Sequence, residues 1–364
     1  MISRKEFIRR RKQLMRMMGR DSIAIIPTAP EHTRNRDVEF PFRSDSDFYY
    51  LTGFPEPEAV AILAPGREHG EYLLFCRERD PLMETWTGRR AGTTGAVDDW
   101  DADDAFPIGD IDDILPGLLE RCDRVFYTMG SDPVFDRRVL DWVNRLRQGG
   151  RAGIRAPDEF ISLEHLLHDM RLYKSRSEVR VMRTAAKVAC SAHRRAMQAC
   201  RPGMHEYEVE AELLHEFRRA GMEPAYPGIV GGGENGCILH YTANNSELLD
   251  GDLLLIDAGA EYDCYASDVT RTFPVNGRFS DAQRALYEVV LAAQLAAIKK
   301  VVPGNHWNDP HTAAVRVLTR GLIKLGILKG KPAELIRQEV LHHQAGKPAG
   351  IKAKINQLQD RKII

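Results

Sequence analysis

Two acidic residues, Asp257 and Asp268, stand where a chain seldom places them. The segment "LLLIDAGAEYDCYASDVTRTFP", Leu253 to Pro274, opens on an apolar run that ends at Asp257 and closes on an alternating, strand-like run that carries Asp268. With Tyr262 and Asp263 as a two-residue turn, the arms pair so that Asp257 faces Asp268 directly. Facing carboxylates about 5 Å apart repel one another. Either one carboxyl keeps its proton or a cation lies between the two. Acid–base work and divalent-metal binding are both open on this pattern. So is a plainer reading, in which Asp263 and Asp268 are exposed loop acids and Asp257 alone is unusual.

A third candidate lies upstream, in "GGGENGCILHYTANN", residues 231 to 245. No Lys-Ser/Thr pair follows the glycines and no strand-loop-helix context surrounds them, which excludes a phosphate-binding P-loop. His240 closes the apolar strand-like run "GCILHY" just before a polar loop. A lone histidine in that position is commonly a satisfied structural residue. Beside a metal-bearing carboxylate pair it becomes a proton shuttle or a donor to a developing negative charge.

These residues need elements to hold them. The chain has 364 residues, enough for two domains with separate cores. Its 51 basic and 52 acidic residues leave no excess charge for a polyanion, so nucleic-acid binding is not expected. No apolar run reaches the roughly 18 residues that a membrane span requires. The Arg-rich N-terminus "MISRKEFIRRRKQLMRMMG" reads as an ordinary helix rather than a targeting segment, with Ser3 as N-cap, Glu6 closing a capping box and a solvated basic face. Six cysteines scattered without C-x-x-C spacing indicate free thiols in a reducing cytoplasm.

Over the first 150 residues or so, strand-like runs ("SIAIIPTA", "AVAILAPG", "EYLLFC", "RVFYTMG") alternate with helical ones, the pattern of an α/β domain. The acid-rich stretch "VDDWDADDAFPIGDIDD" reads as a solvated loop, because it lacks the Gly and Glu offsets of an EF-hand. "RQGGRAGIRAPDEFI", 147 to 161, is the boundary. Beyond it the pattern predicts helices over 163–171, 176–200 and 205–220, then strands at "GIVGG" and "GCILHY" followed by the hairpin, then helices over 280–301 and 308–326, an α+β arrangement.

The same stretches resemble the bacterial type of Xaa-Pro aminopeptidase, the aminopeptidase P family. The likeness runs from "TRNRDVEFPFRSDSDFYYLTGFPEPEAV" (33–60) and "ETWTGRR" (84–90) through the 231–245 motif to "DGDLLLIDAGAEYDCYASDVTRTFPVNGRFSDAQRALYEVVL". It implies a ribonuclease-H-like α/β N-terminal domain over 1–155, a linker and connecting helix over 156–175, and an α+β pita-bread catalytic domain over 176–340. It also implies two Mn²⁺ ions with Asp257 on one and Asp268 bridging both, and His240 beside the substrate. Peptides with proline in the second position are the expected partners. Trp86 is expected either to reach an active site across the interface of a homo-oligomer or to be a buried aromatic.

The family's remaining ligands, a His and two Glu, have no counterpart in the tail "LHHQAGKPAGIKAKINQLQDRKII", 341 to 364, whose one acid is Asp360. The tail is therefore expected to be out-of-family and the catalytic domain truncated, with activity impaired. His342, His343 and Asp360 are the residues left to substitute. A catalytically silent pita-bread binding or assembly module and a prolidase-like dipeptidase are the alternatives.

Overall fold

A computed structural model describes residues 2–120 and 122–344, and its contacts divide the chain into two units. One contains the chain up to Arg195 together with Ala211–Gly228 and Asp257–Val269; the other contains Ala196–Glu210, Ile229–Ile256 and the chain from Thr270 onward.

The first unit is built on a six-stranded sheet. Its strands are β1 (Ser22–Pro27), β4 (Val60–Leu63), β5 (Tyr72–Cys76), β6 (Asp104–Pro107), β7 (Arg124–Phe126) and β8 (Glu159–Ile161), while β2 (Thr33–Asn35) and β3 (Val38–Glu39) form a separate ribbon. The order across the sheet is β6-β5-β4-β1-β7-β8. Pairing is antiparallel through β5, β4 and β1 and parallel at both flanks. Successive strand residues point to opposite faces, and here both faces are covered. Ala24 and Ile26 join a core with Leu14, Phe48 and Leu51, whereas Ile23 and Ile25 join another with Leu115, Val139 and Trp142. Burial on both faces explains why these strands read as continuous apolar runs. All four strands expected in this region are present.

The helices are α1 (Arg4–Met18), α2 (Ser46–Thr52), α3 (Pro81–Thr87), α4 (Gly92–Trp100), α5 (Ile111–Leu119), α6 (Pro133–Gln148), α7 (Glu164–Leu172), α8 (Arg176–Ala199), α9 (Glu206–Arg219), α10 (Asp281–Ile298), α11 (Asp309–Lys324) and α12 (Pro332–Gln344). The expected helices from 163 to 326 are all found. The expected basic face of α1 is not wholly solvated. Ser3 occupies the N-cap position without a side-chain cap bond, and Glu6 pairs with Arg9 instead. Arg10 and Arg11 are buried. Their guanidiniums donate to the carbonyl oxygens of Tyr50 and Leu51, each at 2.9 Å, and stack on Tyr50 and Tyr72. The last carbonyls of a helix lack intrahelical partners, and those of α2 take theirs from α1. The acid-rich stretch is not a loop either. It holds the end of α4, the edge strand β6 and the start of α5, and the Asp103 carboxylate caps the incoming strand by accepting from the Glu71 and Tyr72 amides.

Six further strands follow: β9 (Glu223–Pro224), β10 (Ile229–Gly232), β11 (Leu253–Ala258), β12 (Ala260–Tyr262), β13 (Tyr265–Ala266) and β14 (Val269–Pro274). They form two three-stranded sheets, ordered β10-β11-β14 and β13-β12-β9. Residues 342 and 343 fall at the end of α12; Asp360 lies outside the described residues.

Candidate metal centre

The hairpin turns one residue later than its sequence suggests. Tyr262 pairs with Tyr265 and Glu261 with Ala266, so the turn is Asp263-Cys264. Both turn residues are left-handed, at φ 50° and 61°, as a type I′ turn requires. Asp and Cys together are a weak signal for that geometry, which is why Tyr262-Asp263 competed with it. The pairing does not run straight back to Asp257. Between β11 and β12 the chain breaks at Gly259, where a Cβ would lie 1.7 Å from the Ser267 carbonyl oxygen. Only glycine permits that approach. The break lets one ribbon serve two sheets, and it sets where Asp257 and Asp268 emerge.

The carboxylates converge on a residue that the sequence pattern did not mark. Antiparallel pairing of β9 with β12, Ala260 opposite Pro224, carries the chain past Gly259, and the Ala225 amide donates to the Gly259 carbonyl at 2.9 Å. Tyr226 follows. Its hydroxyl lies 2.6 Å from Asp257 Oδ1 and 3.2 Å from Asp268 Oδ1. A phenol carries one proton, so the two acids share a single donor. Burial, and then the hydrogen bond to Asp257 and the charges of both acids, push the Tyr226 hydroxyl well above its ordinary range and keep it protonated. Asp257 is half-buried and Asp268 exposed. Asp263 stays in the turn.

His240 is not on a strand. β10 ends at Gly232, a short 3₁₀ helix spans Gly233–Cys237, and His240 follows exposed in a turn. Ile238 and Leu239, which suggested a strand, are themselves exposed. The polar residues around them are what hold this loop. Glu206, fully buried at the start of α9, accepts from the Gly232 amide (2.8 Å), the Asn235 side chain (3.0 Å), the Tyr241 hydroxyl (2.7 Å) and the Ser246 amide (2.9 Å). Burial pushes the Glu206 carboxyl up, but the bonds from Tyr241, Asn235, Gly232 and Ser246 outweigh it, leaving it below the usual carboxylate range. An acid in the first turn of a helix ordinarily reads as a partner of the helix dipole, so nothing local distinguished Glu206.

Trp86 lies on α3 and is 80% exposed, which excludes the buried-aromatic reading. Among the described residues, no group of three or more His, Cys, Asp or Glu is arranged to hold a metal ion.

Known proteins similar to this chain give its family. The profile of the aminopeptidase P N-terminal domain matches residues 7–127, and that of Metallopeptidase family M24 matches residues 180–355. The Xaa-Pro aminopeptidase of Escherichia coli (strain K12) is 47% identical over 339 residues, a match that spans 93% of this chain and 77% of that protein. The chain belongs to the aminopeptidase P family of M24 metallopeptidases. Xaa-Pro aminopeptidase 3 of Rattus norvegicus is 33% identical over 341 residues, covering 90% of this chain and 67% of that protein. Aminopeptidase PepP of Pseudomonas aeruginosa, a solved structure, superposes with a TM-score of 0.92 at 60% identity, covering 94% of this chain and 78% of that one. As a member of this family the chain is a metallopeptidase-type enzyme with the expected two-domain fold, an aminopeptidase P N-terminal domain followed by an M24 catalytic domain. Members of an M24 metallopeptidase family use divalent metal ions. One solved relative is a zinc-substituted E. coli aminopeptidase P in complex with product.

Proposed function

We propose that this chain is an Xaa-Pro aminopeptidase in type, a cytoplasmic metallo-hydrolase that releases the N-terminal residue from peptides with proline second. The observation that carries the reading is the convergence of Asp257 and Asp268 on a single hydroxyl donor. Two carboxylates with one proton donor between them are short of positive charge, and hard oxygen donors of this kind suit Mn²⁺. They fit one divalent ion as two of its ligands; they do not by themselves fit a pair, and no third ligating side chain joins them among the described residues. A bound divalent ion supplies a water acidic enough to attack a peptide carbonyl near neutral pH.

In this reading Asp257 and Asp268 hold the metal, and Tyr226 keeps the two acids in register. His240 donates a proton or hydrogen bond to the carbonyl oxygen of the scissile bond. Trp86, exposed on α3, contacts peptide bound to a second copy in a homo-oligomer. With no third ligating side chain beside Asp257 and Asp268 among the described residues, metal is held weakly by this pair and turnover is low, since each absent ligand or outer partner costs roughly tenfold or more.

The test is calorimetric titration of the purified chain with Mn²⁺, alongside an assay of N-terminal release from an Xaa-Pro peptide. Weak Mn²⁺ binding that disappears in Asp257→Asn, with slow release, is the expected result. Tight binding of two ions, with turnover on the order of 1 to 1,000 per second, overturns the low-activity part of the reading and calls for substitute ligands. A second reading, a catalytically silent binding module, is favoured by the lack of a three-residue metal cluster among the described residues. It is the outcome if neither binding nor release is seen.

A further inference from the structure

We infer that Glu206 is a positioning residue for His240: one carboxylate that ties the beginning, middle and end of the loop from Gly232 to Ser246. The inference rests on the proposed role of His240 in peptide cleavage. Glu206 Oε1 takes the Gly232 amide, where β10 ends, and the Asn235 side chain. Oε2 takes the Tyr241 hydroxyl, next in sequence to His240, and the Ser246 amide, where the loop closes. The base of the loop is fixed from the same end of α9. The Glu206 amide donates to the Ser246 carbonyl at 3.0 Å, and the Leu248 amide donates to the Met204 carbonyl at 2.7 Å.

One turn further along α9, Glu210 accepts from the Asn244 side-chain NH₂ at 2.9 Å, and the Asn244 side-chain oxygen, Oδ1, accepts from the Val230 amide at 3.0 Å. Asn244 is buried and left-handed at φ 45°. Asparagine is among the few residues that adopt that conformation readily. The loop therefore has no apolar core of its own. Ile238, Leu239 and His240 are exposed, and the order of the loop comes from charge-assisted hydrogen bonds to two acids spaced one helical turn apart on α9. Both charges lie near the N-terminal end of that helix, where its dipole favours them.

Chemistry distinguishes this clamp from general packing. A glutamine at 206 has nearly the same shape but turns an NH₂ toward one of two donor pairs, the Gly232 amide with the Asn235 side chain or the Ser246 amide with the Tyr241 hydroxyl. The hydroxyl can reverse and accept; a main-chain amide cannot. At least one main-chain bond to the loop is lost in either orientation.

The experiment compares the full chain with Glu206→Gln and Tyr241→Phe by hydrogen exchange over residues 232–246, and follows the ring protons of His240 by NMR. In Glu206→Gln, exchange through the loop is expected to rise about 10- to 100-fold, the ratio that corresponds to losing a hydrogen bond to a charged group. Exchange in α10 and α11 stays unchanged, and the His240 signals move toward those of an unrestrained histidine. Tyr241→Phe, which leaves the carboxylate in place, gives a smaller rise.

A folded Glu206→Gln chain with wild-type exchange and an unmoved His240 overturns the inference. If that variant does not fold, Tyr241→Phe decides on the same readouts, faster loop exchange supporting the clamp and unchanged exchange overturning it. Where turnover on an Xaa-Pro peptide is measurable, kcat falls in Glu206→Gln while KM stays nearly constant; a change in KM alone overturns the link to His240. The loop measurements need no turnover. A chain that neither binds Mn²⁺ nor cleaves the peptide sinks the proposed function and leaves the clamp to be judged on exchange.

Discussion

Two acidic centres in this molecule are solved in opposite ways. Glu206 is one carboxylate with four donors, buried and complete within the protein. Asp257 and Asp268 are two carboxylates with one phenolic proton between them. The first arrangement needs nothing further; its charge is spent on holding a loop. The second leaves negative charge at a half-buried position with one donor to share, which is the electrostatic condition for taking up a cation. A complete donor set therefore marks structure, and an incomplete one marks a place where chemistry enters from outside.

The comparison breaks most readily at Gly259. A methyl group there meets the Ser267 carbonyl at 1.7 Å, and backbone cannot move aside as a flexible side chain can. Gly259→Ala is expected to cost on the order of 3 kcal/mol or more by denaturant unfolding, with loss of whatever divalent-ion binding the pair supports.

Removing the complete centre comes next. Glu206→Ala leaves the Gly232 and Ser246 main-chain amides without their acceptor, so a loss of about 2 to 3 kcal/mol is expected in the same measurement. The pH dependence has a definite sign. Because the folded Glu206 carboxyl titrates below its ordinary value of 4.5, its contribution is fully present above that value and is lost as the pH falls through the lower, folded one. Acid unfolding followed by circular dichroism should show this loss in the wild-type chain and a flatter acid limb in Glu206→Gln.

The incomplete centre behaves in reverse. Asp257→Asn removes one of two like charges while keeping an oxygen that can accept from Tyr226, so without metal the variant is expected to be more stable by about 0.5 kcal/mol. Added Mn²⁺ should raise the melting temperature of the wild-type chain and not that of the variant. A destabilised variant in metal-free buffer would show that the pair is satisfied as it stands and would remove the contrast with Glu206.

The smallest effect belongs to Trp86→Ala. The side chain is almost wholly exposed, and stability should change by less than about 0.5 kcal/mol. A rise in KM for an Xaa-Pro peptide at unchanged stability would support a contact made in the assembled protein, whereas unchanged KM would remove Trp86 from the substrate path.

Much of this was legible in one dimension. The apolar runs at 22–29, 59–66, 71–76 and 124–130 became four of the six strands of the first sheet, and the helical periodicities beyond residue 160 became helices, because local pattern reports which faces a segment can bury. Colinear motifs from Thr33 to Leu291 identified the family, and the odd placement of two acids picked out Asp257 and Asp268. What needed the tertiary structure was everything decided by partners far away in the chain. Tyr226 reaches the pair only because β9 pairs with β12, and no pattern around Tyr226 announces that. The turn moved to Asp263-Cys264 because the break at Gly259 and the demands of two sheets outweigh the weak preferences of the turn residues. "GCILHY" reads as a strand until Glu206 supplies its loop with better partners than a neighbouring strand would, and the arginines of α1 look solvated until the carbonyls of α2 are beside them. Periodicity encodes burial, which is local; register and the matching of donors to acceptors are set by contacts that only the folded chain creates.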